Sequence, residues 1–333
     1  MKAAVLPYVF FLLFSSLHPV PLAAGTAGTD QSSWESFKLQ VYSRLDLTTE
    51  DLQEAAVAAA EPSLLAAGPP TRANPSPVLS LTDLGRRTVE LNLPVMVGTC
   101  TTGYGHAIPS QEVNIALAAS YLSGVVVKPG ETFSYNAAVG PYSQANGYGL
   151  GRMFVGQRIV PSVGGGVCQV ATTLYNAVVM ANLEVVERHK HGLTVPYLQA
   201  GQDATVSDGA LDFKFRNNLS SPVMIYAVGA NKVLTVSIYG RQKGLPVRWE
   251  HQVLETYPKW TESKDDPELP RGEIGELAPG QDGVKVHSWL VIGSPPAAER
   301  RDMGISTYRA SPRVVVIGTG PPRTDQPGAG SDR

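Results

Sequence analysis

An α+β fold is the class this sequence predicts, on three observations. The chain has 333 residues at 43% hydrophobic and 17% charged, enough apolar content for a packed core. Its 33 Gly and 26 Pro favour turns and short strands over long helical bundles. A helical apolar period from Cys168 to Asn182 precedes strand-like alternation between Asp212 and Gly240, so a Cys-bearing helix is expected to pack on an antiparallel sheet. Lys plus Arg number 27 against 29 Asp plus Glu, a formal net charge of −2. That balance lacks the basic footprint of a nucleic-acid binder, and no nucleic acid is expected as partner.

The elements follow in chain order. Residues 1–27 read as a signal peptide, with Lys2 at the start, an apolar run from Ala3 to Leu17, and small residues at Leu22-Ala23-Ala24-Gly25 or Gly25-Thr26-Ala27-Gly28 for cleavage. The run contains Pro7 and falls short of the ~20 apolar residues of a spanning helix, so the mature chain is expected outside the cytoplasm with no transmembrane segment. Residues 28–92 read as a helical arm, with a helix over Thr48–Ala67, and a linker, Gly68–Pro77, that holds four prolines in ten residues. The central domain spans 93–240. It opens with a helix from Ser110 to Ser123, whose apolar residues Val113, Leu117 and Tyr121 repeat at i+4 before the stop at Gly124. A strand, the turn KPGE and a second strand fill Val125–Tyr135, and Gly140–Gly151 reads as a loop. After the helix at Cys168, with Val170, Leu174, Ala177, Val178 and Ala181 on one face, Glu184–His191 and Thr194–Leu198 read as extended. A meander of three strands closes the domain. Residues 241–320 hold the strand candidates VKVHSWLVIG and SPRVVVIGTG of a small C-terminal β module, and 321–333 read as a disordered tail.

Chemistry concentrates at Cys168. An exported chain with two cysteines, Cys100 and Cys168, either bridges them or keeps a free thiol. Gly164-Gly165-Gly166-Val167-Cys168 leads into a helix N-terminus, where unsatisfied amides and the dipole favour thiolate over thiol. Such a cysteine suits nucleophilic acyl transfer, and a small buried thiol after a glycine turn is the plain alternative. His189 and His191, at i, i+2 in an expected strand, share one face and offer a base, unless they are half-exposed strand histidines beside Arg188 and Lys190. Asp203 is preferred over Asp212 to orient the imidazole, with a turn-closing role in GQDAT as the alternative. Zinc on His189, His191 and Cys168 or His106 lacks a second close-spaced pair, so neither metal nor cofactor is expected.

The blocks NIALAASYLSG, VKPGETFSYN, VGPYSQANGYG, VGGGVCQVATTLYNAVV, LEVVERHKHGL and GQDATV with LDFKFRNN, over about residues 93–240, resemble the VanW family of cell-envelope proteins associated with glycopeptide-resistance gene clusters. The resemblance implies a secreted protein of the bacterial envelope. It implies L,D-transpeptidase-like chemistry on peptidoglycan stem peptides, with Cys168 as nucleophile, His191 as base and His189 as its substitute. It also implies an oxyanion site from the amides of Gly165, Gly166 and Cys168, with Gln169, Thr172 and Tyr175 of the same block around the substrate. Ala171, Gly192 and Ser123 depart from the family pattern, and Cys100 lies outside it. Two other functions stay open: a non-catalytic wall-binding or glycopeptide-resistance accessory protein, and a Cys-His peptidoglycan endopeptidase. The number of associating copies is not set by these residues.

Overall fold

The apolar run from Val223 to Ala227 is buried throughout because both faces of its strand are covered. That strand, β8 (Val223–Ala230), lies between β9 (Val233–Gly240) and the two-residue β2 (Val126–Val127), and β1 (Val95–Gly103) pairs with the far side of β9, in an antiparallel sheet ordered β1-β9-β8-β2. In this computed structural model the described residues are 79–155 and 158–321, all within one compact unit, Ala55–Arg333. The expected signal peptide, the helix over Thr48–Ala67, the linker over Gly68–Pro77 and all but Pro321 of the expected tail lie outside the described residues.

The two faces of the sheet carry different cores. On one, Met224 and Tyr226 meet Leu84 and Leu93, brought by α1 (Leu81–Glu90) and the segment after it. This helix starts where the Ser80 hydroxyl accepts from the Asp83 amide at 3.0 Å. On the other, Val223, Ile225 and Ala227 pack with α2 (Pro109–Leu122) and α4 (Val167–Met180) in the main core. Helix α2 ends as expected before Gly124, but its buried residues are Ile115, Ala118, Ala119 and Leu122. Leu117 and Tyr121 sit at the core margin, and Val113 is exposed, so the expected i+4 row marks the edge of the buried face.

The helix α4 is the centre of the domain. Val170, Leu174, Ala177, Val178 and Ala181 are buried as the sequence predicts, and so is the opposite side, which makes α4 an interior helix. It lies against β1 so closely that a Cβ on Gly98 would stand 2.3 Å from the Ala177 carbonyl oxygen. At its start, Gly166 caps the helix at φ 109, a backbone conformation that only glycine takes without strain.

Four local expectations change. The strands flanking KPGE do not pair with each other: β2 joins β8, while β3 (Thr132–Ser134) joins β7 (Lys214–Arg216) and then β6 (Glu184–Glu187). The meander is therefore split after β7. Asn217 sits at the split, its buried side-chain amide donating to the carbonyls of Val127 and Ser221 at 2.9 Å each. The loop reading ends early, since Leu150–Val155 (β4) and Arg158–Val163 (β5) form a hairpin that delivers the chain to the glycine turn. Strand β6 stops at Glu187, and Thr194–Leu198 is turn and coil rather than extended.

The C-terminal module contains the two expected strands, now β13 (Gly283–Ile292) and β15 (Arg313–Gly320), and four more. β10 (Val247–Tyr257), β13 and β14 (Glu299–Tyr308) form one antiparallel sheet in that order. β11 (Thr261–Pro270) runs parallel to β15, which pairs antiparallel with β12 (Ile274–Ala278). Leu290 and Ile292 enter the main core, with Trp249 packed against it. No helix among the described residues is long and apolar enough to cross a membrane.

Candidate active site

Cys168 is the second residue of α4, where the helix dipole and the first-turn amides favour a negative charge. It is a free thiol, only partly buried, and so is Cys100 on β1, so no bridge blocks the sulfur. Burial pushes the Cys100 thiol up to about 11, which leaves it inert at neutral pH. Burial also opposes ionisation of Cys168, but its hydrogen bond to His191 and the charge of that ring outweigh it and lower the thiol below its ordinary value. The sulfur lies 3.5 Å from the Thr205 hydroxyl and 3.4 Å from the Val206 carbonyl. The thiol form can donate to the carbonyl, and the thiolate can accept from the hydroxyl.

His191 and Asp203 complete a connected set. His191 Nδ1 lies 2.7 Å from Asp203 Oδ2, and its backbone amide donates to the same oxygen at 2.6 Å. With Nδ1 so engaged, Nε2 is the ring nitrogen left for Cys168. Burial disfavours a charged ring, yet Asp203 and Cys168 raise His191 to about 9. Burial likewise works against the Asp203 carboxylate, and the donors from His191 and the charges of His191 and Arg188 hold it down at about 2. The three groups form a hydrogen-bonded series, Asp203 to His191 to Cys168, that favours the thiolate, the arrangement of an activated cysteine nucleophile.

The remaining expected residues have other places. His189 does not share a face with His191, because regular strand geometry ends at Glu187; its Nε2 lies 3.0 Å from Glu187 Oε1, beside Lys214. Arg188 instead turns to the site, donating to the Asp203 carbonyl at 2.6 Å and to Oδ1 at 3.0 Å. The Gly165 amide donates to Ser162 O at 3.3 Å and is withdrawn from the expected oxyanion site, whereas the amides of Gly166 and Cys168 carry no backbone hydrogen bond among the described residues. The Gln169 side chain is buried and donates to Thr102 Oγ1 and Gly103 O, both at 3.0 Å, fastening α4 to β1 rather than facing substrate. Thr172 is fully buried too, its hydroxyl donating to Ala204 O and accepting from Ala204 N at 2.9 Å, which fixes the residue after Asp203. Tyr175 packs edge-on against Phe213 and Trp249, with the Arg188 guanidinium 5.5 Å from its ring centre. Asp212 caps α3 (Tyr135–Val139), accepting from Ser134 Oγ and the Asn136 amide.

Sequence reasoning missed four contributors. Thr205 stands inside the quoted DATV block and Arg188 inside ERHKH, so both were within reach of a closer reading. Tyr142 and Tyr197 feel the Cys168 charge on top of their own burial, and both stay protonated well above the usual tyrosine range. Nothing local in the sequence marks them. No group of three or more His, Cys, Asp or Glu among the described residues is placed to hold a metal.

Comparison with known proteins locates this site within one region. The family described as VanW like protein matches residues 110–239. The uncharacterized protein YoaR of Bacillus subtilis is 38% identical over 143 residues, 43% of this chain and 47% of its own length. The vancomycin B-type resistance protein VanW of Enterococcus faecalis is 30% identical over 131 residues, 38% of this chain and 48% of its own. The chain thus matches about half the length of these curated relatives. Among solved structures, the G5 domain of an IgA1 protease aligns with 24% of this chain and 99% of its own, at 22% identity and a TM-score of 0.17. Cys168, His191 and Asp203 all fall within residues 110–239, the segment that matches the VanW like protein family.

Proposed function

We propose that the chain is an exported cell-envelope protein whose VanW domain transfers acyl groups between peptidoglycan stem peptides, with Cys168 as nucleophile. The observation that carries this reading is the hydrogen-bonded series Cys168, His191, Asp203 at the start of α4. The name of the Enterococcus relative, a vancomycin resistance protein, supports the cell wall as the setting. The sequence resemblance supports the stem peptide as the substrate.

In the proposed reaction the Cys168 thiolate attacks the carbonyl carbon of the third stem residue, and the carbonyl electrons move to oxygen. The Gly166 and Cys168 amides are the donors available to that oxygen. As the tetrahedral adduct collapses, the bond to the terminal D-residue breaks, and the departing amine takes the Nε2 proton of His191. A thioester remains on Cys168. An amine of a neighbouring stem then attacks the thioester, returns a proton to Nε2, and expels the thiolate, leaving a cross-link. Asp203 holds the ring with Nδ1 turned away from the sulfur throughout.

The test is incubation of the purified protein with disaccharide tetrapeptide, read by mass spectrometry. Cross-linked dimers are expected from the wild-type chain and none from Cys168→Ala. Shortened monomers without dimers would assign the same thioester to hydrolysis. Absence of both, with Cys168 inert to iodoacetamide, would overturn the reading and leave a wall-binding role.

A further inference from the structure

The Asp203 carboxylate has four donors, and one of them comes from the other module. Oδ2 accepts from the amide and Nδ1 of His191; Oδ1 accepts from Arg188 and from the hydroxyl of Tyr308, at the end of β14. The same Tyr308 hydroxyl accepts from the Gly201 amide at 2.8 Å, so it ties the backbone before Asp203 to its side chain. Tyr308 is fully buried. Burial and the neighbouring Asp203 charge keep its hydroxyl protonated far beyond neutral pH, so it remains a donor.

Two further contacts hold this strand end against the same stretch of chain. The Arg309 amide donates to Gly192 O at 2.8 Å, one residue past His191, and Arg188 Nη1 donates to Ser306 Oγ at 3.3 Å. Together β14 and Arg309 hold the segment 188–192, and Tyr308 meets Asp203 and Gly201 directly. Without the Tyr308 hydroxyl, Oδ1 would keep Arg188 as its only side-chain donor, so the carboxylate plane that sets the His191 ring would be less tightly fixed.

We propose that Tyr308 is a positioning residue of the acyl-transfer site, so that the C-terminal β module is a structural part of the catalytic apparatus. The proposal rests on the reading of Cys168 and His191 given above. It also predicts that this module cannot be exchanged for another that lacks a hydroxyl at the position of Tyr308.

The test is Tyr308→Phe in the full chain, which removes one oxygen and keeps the ring. Trp249→Phe is the control, since it removes the module's hydrogen bond to Asn176 Oδ1 without touching Asp203. The readout is the downfield proton resonance of His191 Nδ1–H, recorded also in the Cys168→Ala background so that it does not depend on the thiol. Tyr308→Phe is expected to move this resonance upfield and speed its exchange with water at least tenfold, with Trp249→Phe unchanged. In the transfer assay kcat is expected to fall about tenfold with KM within twofold. An unchanged Nδ1–H resonance in Tyr308→Phe, or an equal change in Trp249→Phe, would overturn the proposal. Failure of the wild-type chain to transfer, with the resonance shift still present, would overturn the acyl-transfer reading alone and leave Tyr308 as the anchor of Asp203.

Discussion

One sulfur and one ring nitrogen set the pH behaviour expected of this protein. Against the opposing effect of burial, the thiol of Cys168 is held below its ordinary value by its hydrogen bond to His191, while His191 is raised to about 9. Alkylation of Cys168 by iodoacetamide needs only the thiolate and is not expected to fall as pH rises through about 9. Acyl transfer also needs the His191 proton for the departing amine, so its rate is expected to fall as pH rises through about 9. Two pH profiles on one preparation check this, and coincident profiles would refute the division of roles. Asp203→Asn, which keeps the shape and removes the charge, is expected to lower transfer by about 10³ to 10⁴-fold. His189→Ala is expected to stay within about twofold, since that ring pairs with Glu187 away from the sulfur. At this scale Cys168 was legible from the glycine turn before its helix, whereas His191 was singled out only by the family resemblance and Asp203 only as a nearby downstream carboxylate. The separation of His189 from His191 was not legible, because it follows from the strand ending at Glu187, which the residues themselves do not announce.

The elements that place these groups depend on close backbone approach. Helix α4 reaches the sheet only because β1 carries Gly98 beneath Ala177. Gly98→Ala is expected to destabilise the protein by about 1–3 kcal/mol, measured by denaturant unfolding, because the new methyl meets backbone that cannot withdraw. Gly85→Ala is the opposite case. That glycine lies in α1 with nothing within 4 Å of its would-be Cβ, and the change is expected to stabilise by about 0.5–1 kcal/mol. Helices α2 and α4 were readable from their apolar period and their glycine punctuation. The partners of β2, β3 and β7 were not, since short strands of two or three residues carry almost no register information and are assigned by Asn217 and by what covers them.

Across the whole molecule, the site lies where a sheet-bound helix, a coil and a second module converge on one buried carboxylate. Asp203 is held at about 2 against ~3.9 in an unfolded chain, so its contribution to stability is present above pH ~4 and is lost as pH falls towards 2. That contribution is roughly 2 kcal/mol. Asp203→Asn is expected to flatten the acid limb of the stability profile over that range, as measured by thermal unfolding at stepped pH. The strands β10, β11, β12 and β14 escaped the sequence reading because their exposed charged residues hide the alternation, as in Thr261–Pro270. Their shape comes from pairing with β13 and β15.

By itself the sequence determined the class of fold, the Cys-bearing helix with its apolar face and the unusual cysteine at its start, because those are properties of local period and local composition. Tertiary structure decided which histidine meets the sulfur, which amides remain open, and that a tyrosine 105 residues from Asp203 completes its hydrogen bonds. The physical reason is distance along the chain: a buried carboxylate must collect donors from whatever surrounds it, and what surrounds Asp203 is assembled only when the strands after Gly240 pack against the Cys-bearing helix.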